Sequence, residues 1–173
     1  MTPLQMLSEE HKKILEMIAL IREESSLPNK ELNQKFWNKV IFFIQNYADK
    51  YHHAKEEEIL FPEINRQDED EKIHYNPVGQ MLYEHELGRG LVKEMITGLA
   101  DGDRAKVISK ALNYSQLLEE HIFKEDQILY PMAESAIEES VWERIIRKFE
   151  KVNSELKSTE KKSLSILNEI NKK

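Results

Sequence analysis

The stretch His52 to Pro62 reads HHAKEEEILFP, and the chain repeats its pattern from His121 to Pro131 as HIFKEDQILYP. In both copies a histidine stands four residues before a glutamate, and both copies end in isoleucine, leucine, an aromatic residue and proline. Residues four apart share one face of an α-helix. The repeat therefore predicts two helices that carry the same histidine and glutamate pair.

Composition excludes several classes of protein. The chain has 173 residues, which is enough for one domain with a substantial core, and a formal net charge of −7. It contains no cysteine, so any metal site must use nitrogen and oxygen ligands. The acidic charge argues against a nucleic-acid partner. Because no apolar run is long enough to span a membrane and no signal-peptide pattern opens the chain, we expect a cytoplasmic protein with no membrane partner.

Apolar residues recur every three or four positions in five segments, which predicts an all-α fold. The first four segments predict an up-and-down four-helix bundle over residues 1–135. Residues 136–173 predict an additional C-terminal helical segment that packs on the bundle or is partly frayed. Pro62 and Pro131 are expected to end the second and fourth helices, because proline disfavours the helical conformation of the residue before it.

Ionisable side chains fall on or beside the apolar faces of all four bundle helices. Four histidines and two glutamates are expected to point into one interior: His11, His52, Glu56, His85, His121 and Glu125. Two buried carboxylates repel each other and lose their hydration, so a cation is needed to compensate them. Histidine with carboxylate and no sulfur suits iron, manganese or zinc. The symmetric arrangement predicts a site for two ions, with both glutamates bridging.

Residues next to the repeat leave its register open. Aligning the two copies matches His52 with His121, so His53 is predicted to lie at the surface or outside the ligands. Glu57 and Asp126 are predicted to flank the site. Because His53 and Glu57 are also four residues apart, the sequence leaves open whether His53, Glu57 or Asp126 replaces an assigned ligand.

Other candidate residues receive lesser roles. Lys55 and Arg89 lie near the inner helix faces and are expected to support the ligands. The sixth histidine, His74, falls in an acidic connection and is predicted to be an exposed loop residue. Three tyrosines are interpreted mainly as core or rim aromatics, with electron or hydrogen-bond donation as the alternative: Tyr47, Tyr51 and Tyr114.

The order of these motifs resembles the hemerythrin-like, or HHE cation-binding, domain family. The resemblance covers roughly residues 4–135 and rests on His11, on the doubled repeat and on MLYEHELGR around His85. In that family a four-helix bundle holds a non-haem di-iron centre, so the resemblance implies two iron ions with an oxo or hydroxo bridge. The implied ligands are His11, His52, Glu56, His85, His121 and Glu125. A ferritin-like site would need Glu-x-x-His pairs, which no bundle histidine has here.

One departure from the family's oxygen carriers bears on function. Those proteins place a second histidine one turn from the third-helix ligand, whereas Met81 and Arg89 stand at those positions here. The resemblance therefore implies a more open iron pair, like that of bacterial members implicated in handling nitric oxide or peroxide, in sensing oxygen or in repairing iron–sulfur centres. Repair proteins usually carry a cysteine-bearing segment, and this sequence has no cysteine.

Three functional hypotheses follow. In the first, the chain reversibly binds O2 or NO for sensing or iron handling. In the second, it is an enzyme that consumes NO or H2O2 with electrons from a reductase. In the third, it is a partner-binding bundle whose site holds zinc or no metal. Iron–sulfur repair and iron or oxygen storage are alternatives by analogy, and both a monomer and a homodimer are compatible with the sequence.

Overall fold

Helices and their connecting turns make up the part of the chain that the computed structural model describes, which is residues 1–28, 31–69 and 75–172. These residues contain no strand, and the prediction of an all-α helical bundle is confirmed. None of the described helices combines the length and the apolar character needed to cross a membrane. His74 lies outside the described residues.

The first bundle helix, α1 (Pro3–Ser26), begins at a cap that the sequence specifies. The Thr2 hydroxyl accepts a hydrogen bond from the Gln5 backbone N–H, and the Gln5 side chain accepts one from the Thr2 backbone N–H. Pro3 takes the first helical position, where its missing N–H costs no helical hydrogen bond. The fixed start of α1 sets the direction in which His11 points, about two turns further on.

The second bundle helix is a continuous run over 34–69 in which α-helix alternates with π-helix. Its parts are α2 (Gln34–Phe43), π1 (Ile44–His53), π2 (Glu56–Leu60) and α3 (Phe61–Glu69). In a π-helix the backbone hydrogen bonds span five residues instead of four, which changes the direction of the side chains that follow.

The fourth bundle helix repeats this construction over 104–136. Its parts are α5 (Arg104–Lys124), π3 (Glu125–Leu129) and α6 (Tyr130–Ala136). The segments π2 and π3 occupy matching positions in the two copies of the sequence repeat. The repeat therefore encodes a local backbone geometry as well as a pair of side chains.

Neither proline of the repeat ends its helix, so the prediction that Pro62 and Pro131 are stopping points is wrong. One residue separates each proline from the π segment before it, and in the first copy the N–H of this residue, Phe61, reaches back to the Glu56 carbonyl. A π turn leaves one carbonyl without its usual donor, and proline lacks the N–H that would have served it. The two irregularities offset each other, and the helix continues.

The third bundle helix, α4 (Val78–Asp101), starts after Asn76 and Pro77, as the sequence predicts. Gly102 then adopts a left-handed φ of 69°, a conformation that costs glycine little. The Asp103 carboxylate accepts a hydrogen bond from the Lys106 N–H and caps α5. This short turn places α4 and α5 side by side.

The four bundle helices form a ring in which α1 lies against α5 and π1, and α4 lies against α5 and α2. Two apolar clusters fill the interior, and a layer of polar side chains lies between them. On α1, for example, His11 lies between Leu7 of one cluster and Ile14 of the other. The fold therefore places the predicted ligands where water is excluded from both sides.

Two further helices, α7 (Glu139–Glu155) and α8 (Lys157–Asn171), cover the bundle. Helix α7 packs against α1 and π2, and its buried Phe149 belongs to the Leu7 cluster. Helix α8 packs against α2 and π1, and its buried Leu167 belongs to the Ile14 cluster. The Asn171 side chain also donates a hydrogen bond to Glu16 of α1, at 2.5 Å.

Candidate metal centre

The polar layer contains every residue that the sequence assigned to the metal site. All six side chains are at most 2 % exposed, and they come from α1, π1, π2, α4, α5 and π3: His11, His52, Glu56, His85, His121 and Glu125. The structure therefore brings together residues that are far apart in the sequence.

These side chains form two groups, each of which could hold one cation. The His11 group consists of His11, His52, Glu56 and Glu125. The His85 group consists of His53, Glu56, His85 and His121. Within each group the candidate ligand atoms lie within 4.8 Å of one another. Because Glu56 belongs to both groups, two ions bound here would share a carboxylate.

His53 is the member of these groups that sequence reasoning missed. It was predicted to lie at the surface or outside the ligands, but its surface placement is wrong, because it is only 5 % exposed and its ring stacks on His85 with centroids 3.8 Å apart. The helical wheel assumed 3.6 residues per turn, and the ten residues that end at His53 form a π-helix. The only sequence signal for this position is the paired histidine itself.

Every histidine of the layer turns its Nδ1 atom outward to a carboxylate. The Nδ1 to oxygen distances are 3.1 Å for His11 and Asp126, 2.9 Å for His52 and Glu10, 2.7 Å for His85 and Glu57, 2.8 Å for His121 and Glu84, and 3.4 Å for His53 and Asp49. Metal-binding histidines usually donate their other ring N–H to a carboxylate in this way. The arrangement leaves the Nε2 atoms to face the centre of the layer.

The outer carboxylates are themselves held in place. Three cationic side chains donate to four of them: Lys55 to Glu10, Lys124 to Glu84, and Arg89 to Glu57 and Asp49. Burial opposes the charge of Glu84, but hydrogen bonds from His121 and Lys124 outweigh it and lower the Glu84 pKa to about 2. Lys55 and Arg89 therefore act behind the histidines, and neither contacts the inner pair Glu56 and Glu125.

Glu57 and Asp126, which the sequence placed beside the site, lie on the outer side of the imidazoles. Glu57 contacts the His85 Nδ1, and Asp126 contacts the His11 Nδ1 and accepts a hydrogen bond from the Ser8 hydroxyl at 2.7 Å. Both carboxylates thus orient histidines in this structure, while Glu56 and Glu125 face the centre.

Three of the four oxygens of the inner carboxylates lack a hydrogen-bond donor among the described residues. Both oxygens of Glu125 and the Oε2 of Glu56 are buried and make no hydrogen bond with any described residue. The remaining oxygen, Glu56 Oε1, accepts a hydrogen bond from the Tyr130 hydroxyl at 2.5 Å. Burial and the nearby charge of Glu125 raise the pKa of Glu56 well above its ordinary value. Such a pair is costly unless a positive charge lies between its members.

Two ring nitrogens meet at the same point. The Nε2 atoms of His85 and His121 are 2.9 Å apart, and the Nδ1 atom of each ring faces a carboxylate. Neutral imidazoles in this geometry would aim two lone pairs at each other. Burial opposes protonation of His121, but Glu125 and Glu84 outweigh it and raise the His121 pKa to about 10. The negative potential that favours a proton at this point would equally favour a metal cation.

The aromatic residues of the repeat cover the two groups in a symmetric way. Phe61 stacks on His85 with ring centroids 5.9 Å apart, and Tyr130 stacks on His11 with centroids 5.6 Å apart. These residues hold the same position in the two copies of the repeat. The one chemical difference is the Tyr130 hydroxyl, which reaches Glu56.

A cavity of about 270 Å³ adjoins the His85 group. Its lining includes three imidazoles and three apolar side chains: His53, His85, His121, Ile44, Val92 and Leu118. Exposed Gln45 and Lys93 also line it, so it opens to solvent. Tyr114 borders the cavity as well, and its buried hydroxyl makes no hydrogen bond with any described residue. Small molecules from solvent can therefore come close to the imidazoles.

Comparison with known proteins agrees with this geometry. A family model described as the hemerythrin HHE cation binding domain matches residues 2–133, which include all seven residues of the two groups. Neither the curated proteins nor the solved structures contain a significant match to the chain.

Proposed function

The chain belongs to the hemerythrin HHE cation-binding domain family, and we propose that its buried layer holds two iron ions that bind or reduce a small ligand such as O2, NO or peroxide. Family membership makes the chain a cation-binding protein. The identity of the cation as an iron pair and the reaction with a small ligand are the proposal. The residues assigned to the ions are His11, His52, Glu56, His85, His121 and Glu125.

The observation that carries the proposal is a set of buried inner oxygens without a hydrogen-bond partner beside two imidazole nitrogens in close contact. Three of the four oxygens of Glu56 and Glu125 make no hydrogen bond with the described residues, and the Nε2 atoms of His85 and His121 face each other at 2.9 Å. Cations bound at the centre would satisfy all these atoms together. Buried charges are otherwise found paired or coordinated to metal.

The donor set is compatible with iron. Imidazole nitrogen combined with carboxylate oxygen, with no sulfur, suits iron among the metals that such sites bind. Each of the two groups offers four candidate donors, whereas iron in such sites commonly takes up to six. Each ion would then keep positions for an exogenous ligand. A bound iron pair would supply the electrons for reducing such a ligand.

The surroundings favour a ligand of a few atoms. The apolar clusters on both sides of the layer exclude water, and Phe61 and Tyr130 cover the imidazoles of His85 and His11. The cavity at the His85 group has about 270 Å³ and adjoins three imidazoles, which leaves room for a ligand of a few atoms beside them. O2, NO and peroxide fit these limits.

The proposal is tested by mixing iron-loaded, reduced protein with O2 or NO and following the optical spectrum. We expect a rapid new absorption band from the loaded protein and none from a zinc-loaded control, because zinc has no redox chemistry. One ligand taken up per iron pair and released again would indicate reversible binding. Continued consumption with an added reductant would indicate an enzyme. An iron-loaded protein that reacts no faster than the zinc form would refute the proposal.

A further inference from the structure

We propose that His53 is a fifth imidazole ligand and that it binds the ion held by His85 and His121. This inference rests on the proposed iron pair and assigns to the chain a ligand that is absent from the set His11, His52, Glu56, His85, His121 and Glu125. Consecutive histidines, His52 and His53, would then bind different ions.

The position of His53 meets the geometric requirement for a ligand. One of its ring nitrogens lies within 4.8 Å of ligand atoms of Glu56, His85 and His121. Donors that bind one ion at about 2.1 Å can be up to about 4 Å apart, so small side-chain adjustments bring all four to one ion. His53 is 5 % exposed, and both of its ring nitrogens are buried and make no hydrogen bond with any described residue. A buried imidazole in this state needs a partner.

The outer side of His53 resembles that of the other four imidazoles. Its Nδ1 faces Asp49 at 3.4 Å, and Asp49 accepts a hydrogen bond from the Arg89 Nε at 2.9 Å. A carboxylate behind Nδ1 is the usual way in which proteins orient a metal-binding histidine. His53 therefore has a carboxylate behind one ring nitrogen, as metal-binding histidines usually do, and it has the other candidate ligands near its second ring nitrogen.

The π-helix explains how neighbouring residues reach two ions. His53 is the last residue of π1, and its ring stacks on His85 with centroids 3.8 Å apart. The ring of His52 meets His11 instead, with centroids 4.6 Å apart. The two imidazoles diverge toward the two groups, so the second bundle helix serves both ions at once.

The assignment changes the balance between the ions. The positions one turn before and after His85 on α4 are Met81 and Arg89, so the third helix offers a single imidazole. His53 adds an imidazole from the second bundle helix to the group in which the third bundle helix contributes only His85. The His85 group then has three imidazoles and the His11 group has two, which makes the two ions chemically unequal.

The main test compares two substitutions in iron-loaded protein. His53→Phe keeps a flat ring that can stack on His85 but removes the nitrogen ligand, and His53→Ala removes the ring. We expect iron to fall from about two to about one per chain in both variants, because each loses a ligand of the same ion. Val92→Ala, which enlarges the same cavity without removing a ligand, is the control and should keep about two irons.

Chemical rescue separates ligation from packing. Because His53 lines the cavity, added imidazole can take the place of the missing side chain in His53→Ala and should restore the second iron. Imidazole should have no effect on the iron content of Val92→Ala. Retention of both irons and of the parent Mössbauer spectrum in His53→Phe would overturn the inference. Loss of iron that imidazole does not restore in His53→Ala would also overturn it, since packing alone would then explain the loss.

The unsubstituted chain provides a test that does not depend on the variants folding. Reduced iron shifts the proton NMR signals of ligand imidazole N–H groups far outside the usual range. Five such solvent-exchangeable signals are expected, and four would overturn the inference while leaving the iron pair in place. A parent chain that binds no iron would instead refute the proposed function itself.

Discussion

The two inner glutamates, Glu56 and Glu125, are expected to make the stability of the fold depend on bound metal. Glu125 is fully buried, and its two oxygens lie 3.2 Å from His11 Nε2 and 3.1 Å from His121 Nε2. Without a metal ion, Glu125 and Glu56 cannot both carry a charge in a dry interior except at a high cost in free energy. The metal-bound form should therefore be more stable than the metal-free form.

Glu125→Ala should abolish this linkage. In the parent, removal of iron by a chelator is expected to lower the melting temperature, because bound metal contributes to folding free energy. In Glu125→Ala the chelator should have little effect, because the metal is no longer held. Differential scanning calorimetry with and without chelator measures both. Glu120→Ala, at an exposed position of α5, is the control, and it should keep a chelator-dependent melting temperature. A full iron load in Glu125→Ala would mean that another carboxylate binds the ions in place of Glu125.

The Tyr130 hydroxyl offers a second test among single residues. It donates a hydrogen bond to the inner Glu56, whereas Phe61, at the matching position of the repeat, has no hydroxyl. Removing a group that orients a metal ligand typically costs about 10- to 100-fold in metal affinity. We expect a loss in that range for Tyr130→Phe, measured by competition with a chelator. Tyr47→Phe, a buried tyrosine of the Ile14 cluster, should leave the affinity unchanged. Equal affinities for the two variants would assign Tyr130 to packing alone.

Among the helical elements, the π segments mark the limit of what the sequence could predict. The spacing of four between His52 and Glu56 and between His121 and Glu125 was enough to place these residues in one interior layer. The position of His53 was missed, because the spacing of apolar residues in the sequence does not predict the ten-residue π-helix that ends at His53. The outer carboxylates Glu10, Asp49 and Glu84 were missed as well, because charged residues on a helix usually face solvent and their partners lie on other helices.

Pro62 provides a test of the link between the π segments and the site. Pro62→Ala restores an N–H that can bond to the carbonyl four residues earlier, which favours α-helix over the π turn that begins at Glu56. We expect unchanged helix content by circular dichroism, because the helix already continues past Pro62. Iron affinity should fall by about ten-fold as Glu56 turns away from its position. A clear gain in helix content would contradict the continuous helix, and unchanged affinity would separate the π segment from the metal site.

Across the whole molecule, the C-terminal helices stabilise the walls of the site. Leu167 of α8 is 1 % exposed and lies in the cluster that also contains Tyr47 and Tyr51 of π1. The sequence predicted this segment only as packed or partly frayed, because three apolar residues at helical spacing near a chain end fit both descriptions. What places Leu167 inside is the groove along α2 and π1, which no local pattern reveals.

Leu167→Ala measures how firmly α8 is packed. Removing a buried leucine side chain costs about 2 to 5 kcal/mol in the free energy of unfolding, and denaturant titration with chelator present gives the value. Ser165→Ala, at an exposed position of the same helix, should change the free energy of unfolding by less than about 0.5 kcal/mol. Equal stability of the two variants would mean that the terminal helix is frayed in solution.

The most direct test of the central claim is the iron and zinc content per chain of protein purified from its native host, measured by elemental analysis. With the proposed iron pair in the two groups of buried ligands, we expect about two irons per chain and little zinc. The sequence repeat would then have its explanation, because each copy supplies one histidine and one glutamate to a shared pair of ions. Zinc in place of iron, or a chain that carries neither metal, would contradict the claim and favour a bundle that acts through partner contacts.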